Sequence, residues 1–530
     1  LGGTVTATDL LAVAATRLDR ELANDPAVAA ELGLIIADSY DALGYTNETV
    51  PILLAAVARA EASLGAAAPV TLDARLALVS GIMLADPDGA LAILEEVLPL
   101  ILRDFTANAR RAVVALRYKS FALAKLSRRD ESYAALKLAV DTAEKYLGVD
   151  HDDTIVTLGL LSNTEGRFGD RKPQLEHATE ALRRATRAFG AQRPHNTLIA
   201  VERWYADALR ENDRPGEAVP ILRRVYSDQL KLDGAVTQRV RNAQLQLGNA
   251  LMRVGDAGEA LTQIRAAVAL ERAQNPEDTD DRLGFGEALA AALTLSHRVD
   301  EALAQDAYLE QLVKRLPPET PARQVGTHLR HARLLVLDGR TDEALPALSE
   351  AERIAANTSD DQWFQVKLAR AFALRQSGAA RAARDLLNLA RSDPRYDGQR
   401  LALKSGIEAE LGLAYLDLGQ IETARAPLER CEKLFVQAQI LPSVRVAGCM
   451  IGLARVRAAA GQGPAAMSSL QQLVQAWESA NPGSPFHGEA LYWLAEAQRA
   501  AGSRALADEN LRKARRMLAT AKLASQLRLL

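Results

Sequence analysis

Apolar side chains recur at intervals of three and four along nearly the whole chain, the spacing that gathers them into one stripe of an α-helix. The stripes are interrupted on a beat. A glycine or another small or turn-favouring residue closes a predicted helix at Gly44, Ala85, Ser127, Gly169, Asp213, Gly255, His297, Gly339, Gly378, Gly419, Gly461 and Gly502. The successive gaps are 41, 42, 42, 44, 42, 42, 42, 39, 41, 42 and 41 residues. A small residue lies seven positions before the beat and another five after it, with an aliphatic residue nine after and a small one twelve after. Gly248, Gly255, Ala260, Ile264 and Ala267 show the pattern, as do Gly412, Gly419, Ala424, Leu428 and Cys431. The eighth, ninth, eleventh and twelfth units follow with Ala332, Gly339, Ala344; Ala371, Gly378, Ala383; Ala454, Gly461, Ala466; and Ala495, Gly502, Ala507. The first unit is looser, with Ala37, Gly44, Thr49, Leu53 and Ala56. The fourth departs most, carrying Gln174 where a small residue is expected.

This spacing predicts two antiparallel helices per unit that cross closely. Small side chains before and after the turn let the backbones approach, and the beat residue takes the left-handed conformation that ends the first helix. One such hairpin cannot bury both faces, so the next must stack on it. The expected fold is all-α: an α-α superhelix, or solenoid, of about twelve helical hairpins, with a capping helix near residues 6 to 23. Residues 1–26 are assigned to linker and capping helix, 27–316 to repeats one to seven, and 317–530 to repeats eight to twelve with a basic C-terminal helix.

The small, glycine, small framework resembles the tetratricopeptide repeat, with units about eight residues longer than that family's common thirty-four. Longer units are typical of the subtype in kinesin light chain and in many bacterial regulators. The connectors agree, reading Leu64, Gly65, Pro69, Thr71; Leu147, Gly148, His151, Thr154; and Phe189, Gly190, Pro194, Thr197. The resemblance covers roughly residues 27 to 520.

The first forty residues are similar to the segment that follows the membrane span in bacterial membrane-anchored serine/threonine protein kinases. Val5, Thr6, Ala7, Leu11, Leu18, Arg20, Glu21, Leu22, Ala23, Pro26, Ala30, Glu31, Leu32, Tyr40, Leu43 and Gly44 carry this likeness. It implies a periplasmic sensor domain joined through one span to a cytoplasmic kinase. Similar segments occur in membrane-tethered transcriptional regulators, so the likeness points to a type of receptor more than to one output domain; the alternative is a cytoplasmic adaptor or the effector domain of a transcriptional regulator with no membrane involved.

Composition narrows the function classes. The net charge of −3 argues against a broad basic face for nucleic acid. No run of 18 apolar residues is present, so no direct membrane insertion is expected of this stretch. Residues 1 to 100 carry 14 acidic and 4 basic side chains, and 501 to 530 carry 7 basic and 2 acidic; a solenoid presents different solvated faces at its ends, and the alternative is that the two ends meet in a homodimer or against a partner. Cys431 and Cys449 fall on stacked helices, where an oxidising compartment would permit a disulfide and core packing serves otherwise. Phosphate-loop, zincin, nucleophile-elbow and protein-kinase motifs are all missing, so no catalytic, cofactor or metal site is assigned. His328 and His331 are read as a solvated pair, and Asp150, Asp152 and Asp153 beside His151 as helix caps.

What remains is a concave groove lined by the first helix of each repeat, where the resemblance implies a protein or peptide ligand. Counting from the beat assigns Arg117, Tyr118 and Lys125 in repeat three, and Arg203, Trp204, Asp207 and Arg210 in repeat five. Gln246, Asn249 and Arg253 follow in repeat six, Arg330 and Arg333 in repeat eight, and Tyr492, Trp493, Glu496 and Arg499 in repeat twelve. Arginine and asparagine hold carboxylates and peptide amides by directed hydrogen bonds, and aromatic rings offer rigid contact area. Trp204 has a second reading, as packing between repeats.

Overall fold

A computed structural model describes residues 7–22, 25–42, 46–274, 280–316, 320–441 and 446–530. Among them there is no strand. Helix α1 (Ala7–Glu21) precedes a series of helix pairs. The pairs are α2 (Pro26–Ala42) and α3 (Thr46–Leu64), α4 (Pro69–Ile82) and α5 (Pro87–Leu102), α6 (Phe105–Lys125) and α7 (Arg129–Tyr146), α8 (Asp152–Phe168) and α9 (Arg171–Phe189). Next come α10 (Asn196–Glu211) and α11 (Pro215–Asp233), α12 (Gln238–Val254) and α13 (Ala257–Gln274), α14 (Asp280–Leu295) and α15 (Val299–Val313), α16 (Pro321–Leu337) and α17 (Thr341–Ala355). The last are α18 (Asp360–Gln376) and α19 (Ala380–Ser392), α20 (Leu401–Asp417) and α21 (Ile421–Gln437), α22 (Ala447–Ala459) and α23 (Gly463–Ala480), α24 (Pro485–Ala500) and α25 (Arg504–Leu518). A short α26 (Ala524–Leu527) closes the order. The chain packs as two compact units, Leu1–Ala208 and Leu209–Leu530, with the boundary inside α10.

The beat is a backbone fact. Ser127, Gly169, Asp213, Gly255, His297, Gly339, Gly378, Gly419, Gly461 and Gly502 all have positive φ. Ala85 does not, and Gly44 lies outside the described residues, as does the linker before Ala7. The small positions flanking each turn meet as their spacing requires. Ser120 and Ser132 hydroxyls lie 3.0 Å apart across the α6–α7 hairpin. In the fourth hairpin Ser162 donates to the Gln174 carbonyl at 2.8 Å. Gln174 itself fits because its amide lies over Gly166, where an added Cβ would come within 2.3 Å of it. The partner's missing side chain thus makes room for the large residue.

The second unit winds on itself. The Asp213 carboxylate accepts the Leu401 N–H at 3.3 Å, and the Val254 carbonyl accepts the Leu441 N–H at 2.9 Å. The His297 carbonyl accepts from Asn481 Nδ2 at 3.1 Å, and Lys522 donates to Asp338 at 2.5 Å. In each case the turn of one hairpin touches the connector after the fourth hairpin beyond it, at sequence separations of 184 to 188 where side chains are involved. A non-glycine residue with left-handed backbone costs roughly 1 kcal/mol. Asp213 and His297 offset that cost with a side chain that reaches the next superhelical turn: the carboxylate as above, and an imidazole packed on Trp477 and Phe486 at ring distances of 5.0 and 3.8 Å. Burial drives the His297 pKa down to about 3, so the ring is neutral in this contact.

Candidate binding surfaces

In the first unit, the first helices of neighbouring hairpins line an open cleft of about 480 Å³. Asp38 on α2, Asp73 on α4, and Arg110, Arg111 and Tyr118 on α6 face it. The apolar floor comes from residues such as Leu53, Leu76 and Val114. Arg111 holds Asp73 through two bonds of 2.7 and 2.6 Å, and that hydrogen bonding raises its pKa. Arg110 reaches Asp153 at 2.8 Å. The sequence count found Tyr118 and missed its charged neighbours, because they lie two turns nearer the start of α6. Their signal was the i, i+3, i+7 series Arg111, Val114 and Tyr118 along one face of α6.

The other groove residues of this unit are spread out. Arg117 points to Asp153, 3.5 Å away, and burial lowers its pKa. Lys125 sits 5.8 Å over the Phe121 ring and is exposed. Trp204 lies flat against Gly159, where an added Cβ would fall 2.3 Å from the indole, so its ring is a spacer between α8 and α10. Arg203 and Asp207 are half-buried on the same helix. The aspartates near His151 do not cap α8: His151 does, accepting the Asp153 N–H at 3.1 Å. Asp150 and Asp152 instead bind Arg187 and Thr197.

In the second unit the first helices carry a series of charged side chains. Arg210, Gln246 and Asn249 are half-buried along them. Arg253 lies 3.4 Å from Glu211, which Arg400 holds at 2.7 Å from the next superhelical turn. Arg333 has accessible surface, yet desolvation by the protein around it lowers its pKa, with Glu410 the opposing attraction. Arg375 bridges Glu410 and Asp417 at 2.8 and 3.2 Å. Arg455 lies 4.7 Å over the Trp493 ring in a cavity of about 310 Å³ that Glu496 also lines. Tyr492 turns instead to the α25 core, and Arg499 pairs with Glu496 at 3.1 Å. Arg375 on α18, Arg455 on α22 and Arg400 just before α20 lay outside the residues the sequence singled out.

Arg330 turns back to Asp306 at 2.6 Å, and His331 joins the same carboxylate at 2.8 Å with Glu310 at 3.5 Å. His331 is therefore an ion-pair partner and not half of a solvated pair with His328. Although these three His and carboxylate atoms lie within 4.8 Å of one another, the Arg330 guanidinium occupies the other Asp306 oxygen and would repel a cation. The bond to Asp306 raises the His331 pKa, and a bond to the buried Glu165 raises that of His177. A raised imidazole pKa gives stability that is full below the unfolded value of about 6.5 and is lost as pH rises through the folded value. Urea midpoints are expected to fall on going from pH 6 to pH 9, and to fall less in a His177→Gln, His331→Gln double variant. Equal slopes in the two proteins would refute this assignment.

Cys431 and Cys449 are free and buried, in the shared core of α21 to α23. Ser405 Oγ lies 3.2 Å from Cys431 Sγ, and burial pushes the Cys449 thiol well up, so Cys449 is not a ready nucleophile.

These helix pairs, their left-handed turns and their small crossing residues define the architecture. It is a tetratricopeptide-type helical repeat fold. No protein-family profile matches the chain, and no curated protein matches it. Among solved structures, a putative kinesin light chain of Podosopora anserina with nearly identical TPR-like repeats is 21% identical over 40% of this chain and 99% of its own, with a TM-score of 0.34. The APC/C hetero-tetramer Cut9-Hcn1 is 15% identical over 96% of this chain and 97% of its own, with a TM-score of 0.43. BtubC (BKLC) from P. vanneervenii is 14% identical over 47% of this chain and 94% of its own, at 0.35.

Proposed function

We propose that this chain is a non-catalytic protein-binding domain that captures an extended segment of a partner on the inner helices of its first unit. The observation that carries the reading is the open cleft with Asp38, Asp73, Arg110, Arg111 and Tyr118 around an apolar floor. Such a surface supplies what peptide recognition needs: apolar area for side chains, and a few directed polar groups to fix register. The likeness of the first forty residues supports a setting outside the inner membrane, as the sensing region of a membrane-anchored serine/threonine kinase. Among the described residues no helix is long and apolar enough to cross a membrane. In this setting binding would bias the kinase by stabilising one of two repeat arrangements or a dimer, and only a difference in ligand affinity between the two states can do so.

The test is capture from a bacterial envelope extract with wild-type chain and with an Arg111→Glu, Tyr118→Ala variant whose helix content is unchanged. Loss of a defined partner from the variant is the expected result. Equal capture by both proteins would reject the cleft. A kinase region and an apolar span encoded upstream of Leu1 are expected; an uninterrupted soluble chain there would reject the receptor setting.

A further inference from the structure

After α25 the chain leaves the hairpin pattern and runs across the first helices of the second unit. Leu523, 4% exposed, packs with Ala332, Leu335 and Leu337 of α16 and with Ala373 of α18. The Ser525 N–H donates to Gln376 Oε1 at 3.2 Å. Gln526, 1% exposed, donates to Glu489 at 3.1 Å, and Arg528 lies 3.4 Å from Asp417. Lys522 reaches Asp338 at 2.5 Å and Asp300 at 3.6 Å. The segment 519–530 contains no acidic residue, and the face that receives it presents Asp338, Asp417 and Glu489. Burial raises the Glu489 pKa, against the pull of Gln526, Arg375 and Arg455.

This is the arrangement of a bound peptide: one leucine in an apolar pocket, a main-chain N–H taken by a side-chain amide, and basic groups at either end on carboxylates. Its ionic ends are water-exposed. Side chains of Lys522 and Arg528 keep 49% and 51% of their surface, so screened pairs hold them and a competitor can displace them. We infer that residues 522–530 are a displaceable ligand held in cis, and that the α16, α18, α20 and α24 face they cover takes in trans a basic partner segment of the order Lys-Leu-x-x-Gln-x-Arg. This rests on the reading that the inner helices bind protein segments, but it concerns a different face from the first-unit cleft.

The probe is a labelled synthetic peptide of residues 520–530, titrated into the full chain by fluorescence anisotropy. Wild-type chain is expected to bind it weakly. Leu523→Asp with Arg528→Glu, which releases the cis segment, is expected to bind at least ten-fold more tightly. Arg528→Glu alone, a half-exposed position that leaves the core untouched, should gain several-fold. Adding Asp417→Lys to either should abolish the gain. If neither variant binds the peptide more tightly than wild type, or if Asp417→Lys leaves the gain intact, the inference is wrong and the segment is a fixed cap. Because the probe is the chain's own sequence, that result leaves partner capture by the Arg111 and Tyr118 cleft to stand or fall separately.

Discussion

Trp477→Ala is expected to destabilise the second unit by about 3–5 kcal/mol, the usual range for deleting a fully buried large aromatic. Trp477 is 1% exposed and stands at a junction of two kinds of packing. Within its own superhelical turn it belongs to the core shared by α21 to α24. Beside it in the same turn its ring stacks on Phe486 of α24 at 5.4 Å, and across turns it meets His297 edge-on at 5.0 Å. The indole N–H has no hydrogen-bond partner, so phenylalanine forfeits no polar contact and should cost much less than alanine. A urea titration followed by circular dichroism measures both. The junction makes a further claim: a cycle of Trp477→Ala and His297→Ala should show a coupling of about 0.5–1.5 kcal/mol. Strictly additive losses would show that the inter-turn contact carries no energy.

That contact also marks the limit of what the sequence discloses. The hairpins were legible because everything that makes one is local: a helical apolar stripe, a left-handed residue, and small residues seven before and five after it. Ser120 with Ser132 and Gly412 with Leu428 meet within 16 residues of each other. The winding of the second unit was not legible, since it sums a small rotation per hairpin over more than four hairpins, and no single residue encodes that sum. Two departures from the pattern did carry the information. Asp213 and His297 stand where glycine would be easier for the backbone, and both touch the next turn. The site was legible to the same degree. Counting positions put Tyr118 on a helix that borders the first-unit cleft, but the partners that surround Arg253 or Arg333, Arg400 and Glu410 among them, come from hairpins far along the chain.

The second large effect separates two glycines that look alike in sequence, Gly412 in α20 and Gly326 in α16. Leu428 of α21 is fully buried between two glycines, Gly412 and Gly452. An added Cβ at Gly412 would fall 2.4 Å from Leu428 Cγ, the branch point of the side chain and not a flexible end. The helices would have to part, so Gly412→Ala is expected to lose about 1–3 kcal/mol through overpacking, even after the gain of up to roughly 1 kcal/mol in helix propensity. At Gly326 nothing lies within 4 Å of the added atom, and the backbone is ordinary helix. There the propensity term acts alone, and Gly326→Ala should gain about 0.4–1 kcal/mol. The same substitution thus changes sign between two helices of one unit. If steric conflict with Leu428 is the cause, Leu428→Ala, costly in the wild-type background, should be milder when combined with Gly412→Ala, because the new methyl occupies part of the vacated space. Equal cost in both backgrounds would mean that the close crossing of α20 and α21 is not what the glycine is there to permit.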